Sequence, residues 1–181
     1  MAHSTRNKKK EKNTKTYDLT LAAVFCAIIS VARIFSYIVP PIRTMLGFII
    51  ISGAYFGPTK AATIGVVSIL VSNCFLGHGL WTIFQIIAVL IIGFISGIFK
   101  KEKLRKNKIL LFTWSIFSVF IYSFIMLGYF FLNTKLSSIS ATAAYFISGI
   151  PKDIFHVVST FFAIKFFFDP IGKLLEKFYK L

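Results

Sequence analysis

The sequence predicts an all-α integral membrane protein, a bundle of six transmembrane helices with both chain termini in the cytoplasm. Of its 181 residues 56% are hydrophobic and 15% are charged, with a mean hydropathy of +0.78. Soluble domains carry about a quarter charged residues. The apolar residues form five or six stretches long enough to cross or nearly cross a bilayer. The positive charges cluster in the connections on one side of these stretches.

The chain divides into a basic cytoplasmic tail (1–17), a membrane domain (18–170) and a cytoplasmic amphipathic tail (171–181). We expect the first tail to be disordered, because it is basic and polar, and the second to form an interfacial helix. The predicted spans cover about 19–39, 42–56, 59–76, 81–99, 109–132 and 141–168. Proline and glycine mark the breaks. These are Pro40-Pro41, Gly57-Pro58, Gly77-His78-Gly79 and Asp169-Pro170, with a bend expected near Gly149-Ile150-Pro151.

The distribution of Lys and Arg predicts the orientation. Of 21 such residues, 16 lie in the two tails, in the turn after the second span and in the basic loop 100–108. Only Arg43 and Lys135 lie in the opposite connections. Cytoplasmic loops carry the excess of Lys and Arg, so both termini are expected there. This requires an even number of spans, and the short second segment must therefore count as a crossing.

Composition and motifs exclude several function classes. The net charge of +15 lies in juxtamembrane clusters, so it does not indicate nucleic-acid binding. There is no Walker A motif, no metal-ligand spacing and no nucleophile beside a base. We therefore expect no enzyme, no metal site and no cofactor. Cys26 and Cys74 are interpreted as small buried thiols. The absence of a convincing inverted repeat disfavours a self-sufficient secondary transporter.

Charged residues inside spans are candidates for a binding site, because they are costly in lipid. Arg33 either snorkels to the outer interface or faces a cavity that opens outward. Lys152, Asp153 and His156 form the densest polar group, with Asp153 and His156 on one helix face. This group makes either a local Asp–His hydrogen bond beside a proline kink or, as we favour, a polar floor for a ligand. Lys165 is expected to snorkel to the inner interface.

A second polar group surrounds the break between the third and fourth spans. It consists of Asn73, His78, Trp81 and Gln85, with Trp81 and Gln85 one helical turn apart. Trp81 alone is typical of the interfacial aromatic belt. Amides and an aromatic ring beside a flexible loop together favour a planar polar organic ligand.

Small residues form one face of the first span. Ala23 and Ala27 are four residues apart and Ala22 is adjacent, so another helix can approach closely. That helix belongs either to this bundle or to a partner protein.

Two long segments resemble a known family. They run from ISGAYFGPTK to IIGFISGIF (51–99) and from GIPKDIFHVV to GKLLEK (149–177). With the six-span layout and the alanine face, they resemble the substrate-binding S component of energy-coupling factor (ECF) vitamin transporters. The resemblance covers roughly residues 19–177. It implies a multi-pass protein of the bacterial plasma membrane that binds a vitamin outside and is not itself an enzyme.

The resemblance also implies partners and a site. A membrane coupling subunit would meet Ala22, Ala23 and Ala27, and two cytosolic ATPases would supply energy. The substrate would bind near the outer face, under the loop 36–44. The polar contacts would come from Arg33, Arg43, Asn73, His78, Trp81, Gln85, Lys152, Asp153 and His156.

Within the family, Gly77, Gly79, Trp81, Thr82 and Gln85 look most like cobalamin-binding members, so cobalamin is the expected ligand. His78 and Leu80 stand where such relatives often have Gln and Pro, and folate, pantothenate and a thiamine precursor remain open. Two other functions also remain open. One is a membrane assembly protein without a ligand, and the other is a membrane enzyme with Asp153 and His156 as an acid–base pair.

Overall fold

The computed structural model describes residues 2–39, 43–99, 103–104, 107–133 and 139–179, and this part of the chain folds into six helices. They are α1 (Ala2–Ile38), α2 (Met45–Phe56), α3 (Pro58–Leu76), α4 (Leu80–Ile98), α5 (Lys108–Asn133) and α6 (Ile139–Tyr179). All except α2 contain a segment that is long and apolar enough to cross a membrane. The all-α class is therefore confirmed, and the five long apolar helices support a membrane protein.

Several predicted breaks coincide with helix ends. Gly57 and Gly77 end α2 and α3 with φ of 83° and 92°, a backbone conformation that residues with a Cβ rarely adopt. Pro58 begins α3, where the missing N–H group is not needed. The predicted break at Pro40-Pro41 lies outside the described residues, as do most of the basic loop 100–108 and positions 134–138 of the polar loop.

Two helices are longer than expected. The backbone is helical from Ala2 onward in α1, where a disordered tail was expected, and no glycine or proline interrupts the sequence up to Ile38. Asp169-Pro170 does not end the last helix, since α6 continues to Tyr179 with Pro151 and Pro170 inside it. Tertiary contacts hold this end, because Tyr55 donates a hydrogen bond to the Phe168 carbonyl (3.0 Å) and Leu175 is buried.

The shortest helix lies at the centre of the bundle. Every residue of α2 from Met45 to Gly53 is buried, and α2 packs against all five other helices. The outer helices instead expose many large apolar side chains, as expected where lipid is the solvent. Because protein rather than lipid surrounds α2, its backbone and side chains do not have to match the full thickness of the bilayer.

Small residues let the helices around α2 approach closely. A Cβ on Gly53 would lie 2.6 Å from the Cβ of Ser96 in α4, and one on Gly47 would lie 2.8 Å from the Cβ of Ala163 in α6. Such distances leave no space for a methyl group. The contacts of α2 with α4 and α6 therefore depend on glycine.

This packing predicts that Gly53→Ala destabilises the protein by about 1–3 kcal/mol, because the added methyl group must push α2 and α4 apart. The measurement is the thermal unfolding midpoint of the purified protein in detergent. Gly149→Ala is the matched control, since nothing lies within 4 Å of a Cβ at that helical position. Equal midpoints for the two variants would contradict the close contact of α2 with α4.

Candidate functional site

A cavity of about 400 Å³ lies in one half of the bundle, and residues from all six helices line it. Because so many elements converge here, the cavity is the main candidate for a binding site. Its lining comprises Arg33, Ser36, Tyr37, Arg43, Met45, Asn73, Leu76, Trp81, Gln85, Tyr122, Met126, Tyr129 and His156.

The guanidinium group of Arg33 joins three helices at the wall of this cavity. Its Nη1 donates hydrogen bonds to Ser72 Oγ (2.5 Å) and Asn73 Oδ1 (2.6 Å) on α3. Its Nη2 donates to Gln85 Oε1 (2.9 Å) on α4. All three acceptors are buried. Arg33 therefore points into the bundle instead of snorkelling to the interface, and the interpretation as a cavity residue is favoured.

The Asn73 side chain extends this network to the start of α4. Its Nδ2 donates to Thr82 Oγ1 (2.9 Å) and to Gln85 Oε1 (3.2 Å). Thr82 Oγ1 also accepts a hydrogen bond from the Gly79 backbone N–H (3.3 Å). The turn between α3 and α4 is thereby tied to the cavity wall. Each amide has a fixed orientation, which is what a site with defined polar contacts requires.

A seam of small polar residues between α1 and α3 sets the position of Arg33. Ser30 Oγ donates to the Ser68 carbonyl (3.2 Å), and Ser68 Oγ donates to the Cys26 carbonyl (3.4 Å). Cys26 Sγ donates to the Ile64 carbonyl (3.6 Å). Small side chains bring the two backbones close, as in other membrane helix pairs. One turn further along α1, Arg33 comes to lie opposite the side chains of α3.

Aromatic side chains form the wall that the sequence analysis missed. Tyr122, Met126 and Tyr129 of α5 face the cavity. Tyr129 packs edge-on against Trp81, with 6.3 Å between ring centroids, and Tyr122 packs edge-on against His156 at 6.0 Å. The sequence could have indicated this wall, because the spacing of residues 122, 126 and 129 places their side chains on one helix face. No residue of the fifth span was among the predicted site residues.

A second cavity of about 280 Å³ adjoins the first and shares part of its lining, namely Arg43, Gln85, Tyr122, Met126 and His156. It adds Lys152 and Asp153 from α6. Asp153 Oδ1 accepts a hydrogen bond from Ser123 Oγ (2.8 Å) on α5. The helix α6 also contributes Tyr145 and Phe146 to the second cavity, so its lining there is both polar and aromatic.

The structure brings together most of the residues that the sequence analysis selected. Six of the nine line the first cavity, and Lys152 and Asp153 line the second. The six are Arg33, Arg43, Asn73, Trp81, Gln85 and His156. Of the predicted covering loop 36–44, Ser36, Tyr37 and Arg43 line the cavity, and positions 40–42 lie outside the described residues.

His78 is the member of the predicted set that the structure does not bring to either cavity. It is exposed in the turn after α3, where its Nε2 lies 3.9 Å from Cys74 Sγ. Cys74 is also exposed and Cys26 is half-buried, so the prediction of two buried thiols was wrong. Within the described ranges, no three His, Cys, Asp or Glu side chains are placed to hold a metal ion.

The alanine face borders a groove between α1 and α3, of about 720 Å³. Ala22, Ala23 and Ala27 line it, and Ala23 and Ala27 are exposed. Asp18 and Lys60 line it as well and form an ion pair, with Nζ and Oδ2 2.5 Å apart. We call this surface the alanine groove. Its two exposed alanines are not covered by another helix in the part of the chain that the structure describes.

The comparisons with known proteins give one finding. The model of a family described as "ECF-type riboflavin transporter, S component" matches residues 13–168, which include most of α1 and of α6 and everything between them. The comparisons with curated proteins and with solved structures found no match. The family name supports an S component of an ECF transporter, but it specifies riboflavin and so does not support the expected cobalamin.

The network around Arg33 predicts that Asn73→Ala lowers the free energy of unfolding by about 1–3 kcal/mol. The substitution removes the Asn73 amide, so the buried polar groups bonded to its oxygen and nitrogen lose a hydrogen-bond partner. The measurement is again the unfolding midpoint in detergent. Cys74→Ala is the matched control, because Cys74 is the next residue on α3 and its side chain is exposed. An Asn73 variant as stable as the Cys74 variant would show that the network does not hold α1, α3 and α4 together.

Proposed function

Because the chain belongs to the ECF-type riboflavin transporter S component family, we propose that it binds riboflavin in the six-helix cavity and delivers it through ATP-driven partner proteins. The observation that carries this proposal is the match over residues 13–168 together with a cavity to which every helix contributes. The chain is the substrate-specific transport subunit and not the ATPase.

The chemistry of the cavity suits a flavin. The isoalloxazine ring is planar, with carbonyl and ring-nitrogen acceptors along one edge, and the ribityl chain carries hydroxyl groups. Arg33 and Gln85 offer polar contacts for the ring edge, and Trp81, Tyr122 and Tyr129 offer aromatic surface. A small number of polar groups in a mainly apolar wall is typical of sites that orient a planar ligand.

Cavity size also favours riboflavin over cobalamin. The first cavity, of about 400 Å³, is in the lower part of the range of roughly 300–1,000 Å³ for small-molecule sites, and the adjoining one, of about 280 Å³, is just below that range. A flavin fits this space. A corrin ring with its nucleotide arm is several times larger and would require the helices to separate.

The proposed topology has six crossings, with the cavity open to the outside and both termini in the cytoplasm. Arg43, just before α2, lines the cavity. Lys60, just after α2, pairs with Asp18, near the start of the apolar segment of α1 (Thr16–Ile38). The chain therefore passes from one half of the bundle to the other through α2 alone. This supports counting α2 as a crossing, and the clustered Lys and Arg then face the cytoplasm.

The proposed partners are a membrane coupling subunit and two cytosolic ATPases, in the bacterial plasma membrane. The coupling subunit would dock on the alanine groove, where exposed small residues permit close helix contact. The groove is lined by α1 and α3 and shares no lining residue with the cavities. Binding of the vitamin and docking of the partner therefore use separate surfaces.

The proposed ligand predicts that the purified protein quenches riboflavin fluorescence with one site per chain. We expect Trp81→Ala to weaken this binding roughly 10- to 100-fold, since it removes an aromatic wall of the cavity. His78→Ala, in the adjacent turn but outside both cavities, serves as the control and should bind normally. Cobalamin should not compete. Absence of riboflavin binding at micromolar ligand would refute the ligand assignment.

The proposed docking surface predicts that Ala23→Leu with Ala27→Leu abolishes riboflavin uptake by cells while the purified variant still binds riboflavin. The leucines fill the groove that a partner helix must enter. Ala144→Leu, at an exposed alanine of α6, is the control and should transport normally. Full uptake by the double variant would mean that the coupling subunit docks elsewhere.

A further inference from the structure

The alanine groove has the length of one leaflet of a bilayer. Its lining extends from Asp18 to Ala27 on α1 and from Thr59 to Val71 on α3. At 1.5 Å per residue these segments are about 14 and 18 Å long. Half of a hydrocarbon core of about 30 Å is about 15 Å. The groove therefore matches the depth that a single lipid acyl chain occupies.

Most of the groove is apolar and open to the outside of the bundle. Ala23 and Ala27 on α1 are exposed along it, and so are Val67 and Val71 on α3. In a bilayer such a surface meets acyl chains and not water. An alkyl chain can follow a wall of this kind, because dispersion contacts need close approach but no fixed direction. The volume of about 720 Å³ leaves room for a chain between the two helices.

The polar residues of the groove lie together at one end. Asp18 and Lys60 form their ion pair there, and Thr59 and Thr63 add hydroxyl groups. Half of the Lys60 side chain and a quarter of the Asp18 side chain are exposed, so both charges are accessible to a ligand. This end of the groove thus offers one cation and one anion, side by side, at the end of an apolar channel.

We propose that the alanine groove binds one phospholipid whose headgroup carries both a phosphate and a primary ammonium group, as in phosphatidylethanolamine. An acyl chain lies along Ala23 and Ala27, Lys60 donates to the phosphate, and the ammonium group donates to Asp18. A headgroup with phosphate as its only charge would bring a like charge to Asp18. A quaternary ammonium group has no N–H to donate.

This lipid site is separate from the cavities, because the groove shares no lining residue with them. The inference therefore does not rest on the proposed vitamin. It does affect the docking surface proposed above, since a protein that enters the groove must first displace the lipid.

The test is native mass spectrometry of the full-length protein, delipidated in detergent and mixed with equal amounts of three phospholipids that have the same acyl chains. They are phosphatidylethanolamine, phosphatidylcholine and phosphatidylglycerol. We expect one phosphatidylethanolamine per chain, held roughly tenfold more tightly than the other two. Asp18→Asn should remove most of its advantage over phosphatidylcholine. Lys60→Gln should weaken all three, because each has a phosphate.

Two matched controls locate the site. Ala23→Leu with Ala27→Leu fills the groove and should abolish lipid retention, whereas Ala144→Leu, at an exposed alanine of α6, should leave it unchanged. Lys165→Gln removes a positive charge from an exposed position of α6 outside the groove and should also have no effect.

Three outcomes would overturn the inference. Equal retention of the three lipids by the wild-type protein would mean annular lipid only, and this comparison needs no variant. Tightest binding of phosphatidylglycerol would contradict the match to a paired cation and anion. Retention by the double leucine variant at the wild-type level would place the lipid elsewhere. In each case riboflavin binding by the same protein remains a separate measurement, so the proposed function would stand.

Discussion

The half-buried guanidinium group of Arg33 constrains how α1, α3 and α4 pack together. A charge in the membrane interior is tolerated only when its hydrogen-bonding groups are satisfied by protein. Arg33 meets this condition through Ser72, Asn73 and Gln85. Because those acceptors lie on α3 and α4, Arg33 is satisfied only when α1 lies close to both helices. The small side chains of Ser30 and Ser68 permit this close approach of α1 to α3.

The central position of α2 follows from its short length. A helix of 12 residues is only about 18 Å long, so it cannot present a complete lipid-facing surface across a hydrocarbon core of about 30 Å. Surrounding it with five helices removes that requirement. The cavity lies at the Met45 end of α2, where side chains of all six helices converge.

Much of the fold could be predicted from the sequence, because lipid-facing segments and the positions of charges can be recognised from the residue types alone. The long apolar segments, the glycine turns at Gly57 and Gly77 and the polar residues inside spans all followed from rules that hold for individual helices. The features that could not be predicted depend on which helices pack against each other. The burial of α2 and the inward face of Tyr122 and Tyr129 on α5 are set by which helices meet. His78 had the right chemistry for a site, but the turn directs it away from the cavity. The family match does not support the cobalamin expectation, and amide and aromatic residues such as Trp81 and Gln85 carry no information about the size of a ligand.

The arrangement of α1 has a consequence for how such a protein can diversify. Both the alanine groove and the Arg33 network lie on α1 and α3, but on different residues of these helices. The α5 and α6 side chains, including Tyr129 and Lys152, line only the cavities. Under the proposed function, substitutions on α5 and α6 would alter the lining of the cavities and leave the alanine groove unchanged. Chains of this design could then differ in ligand while offering the same surface to a partner.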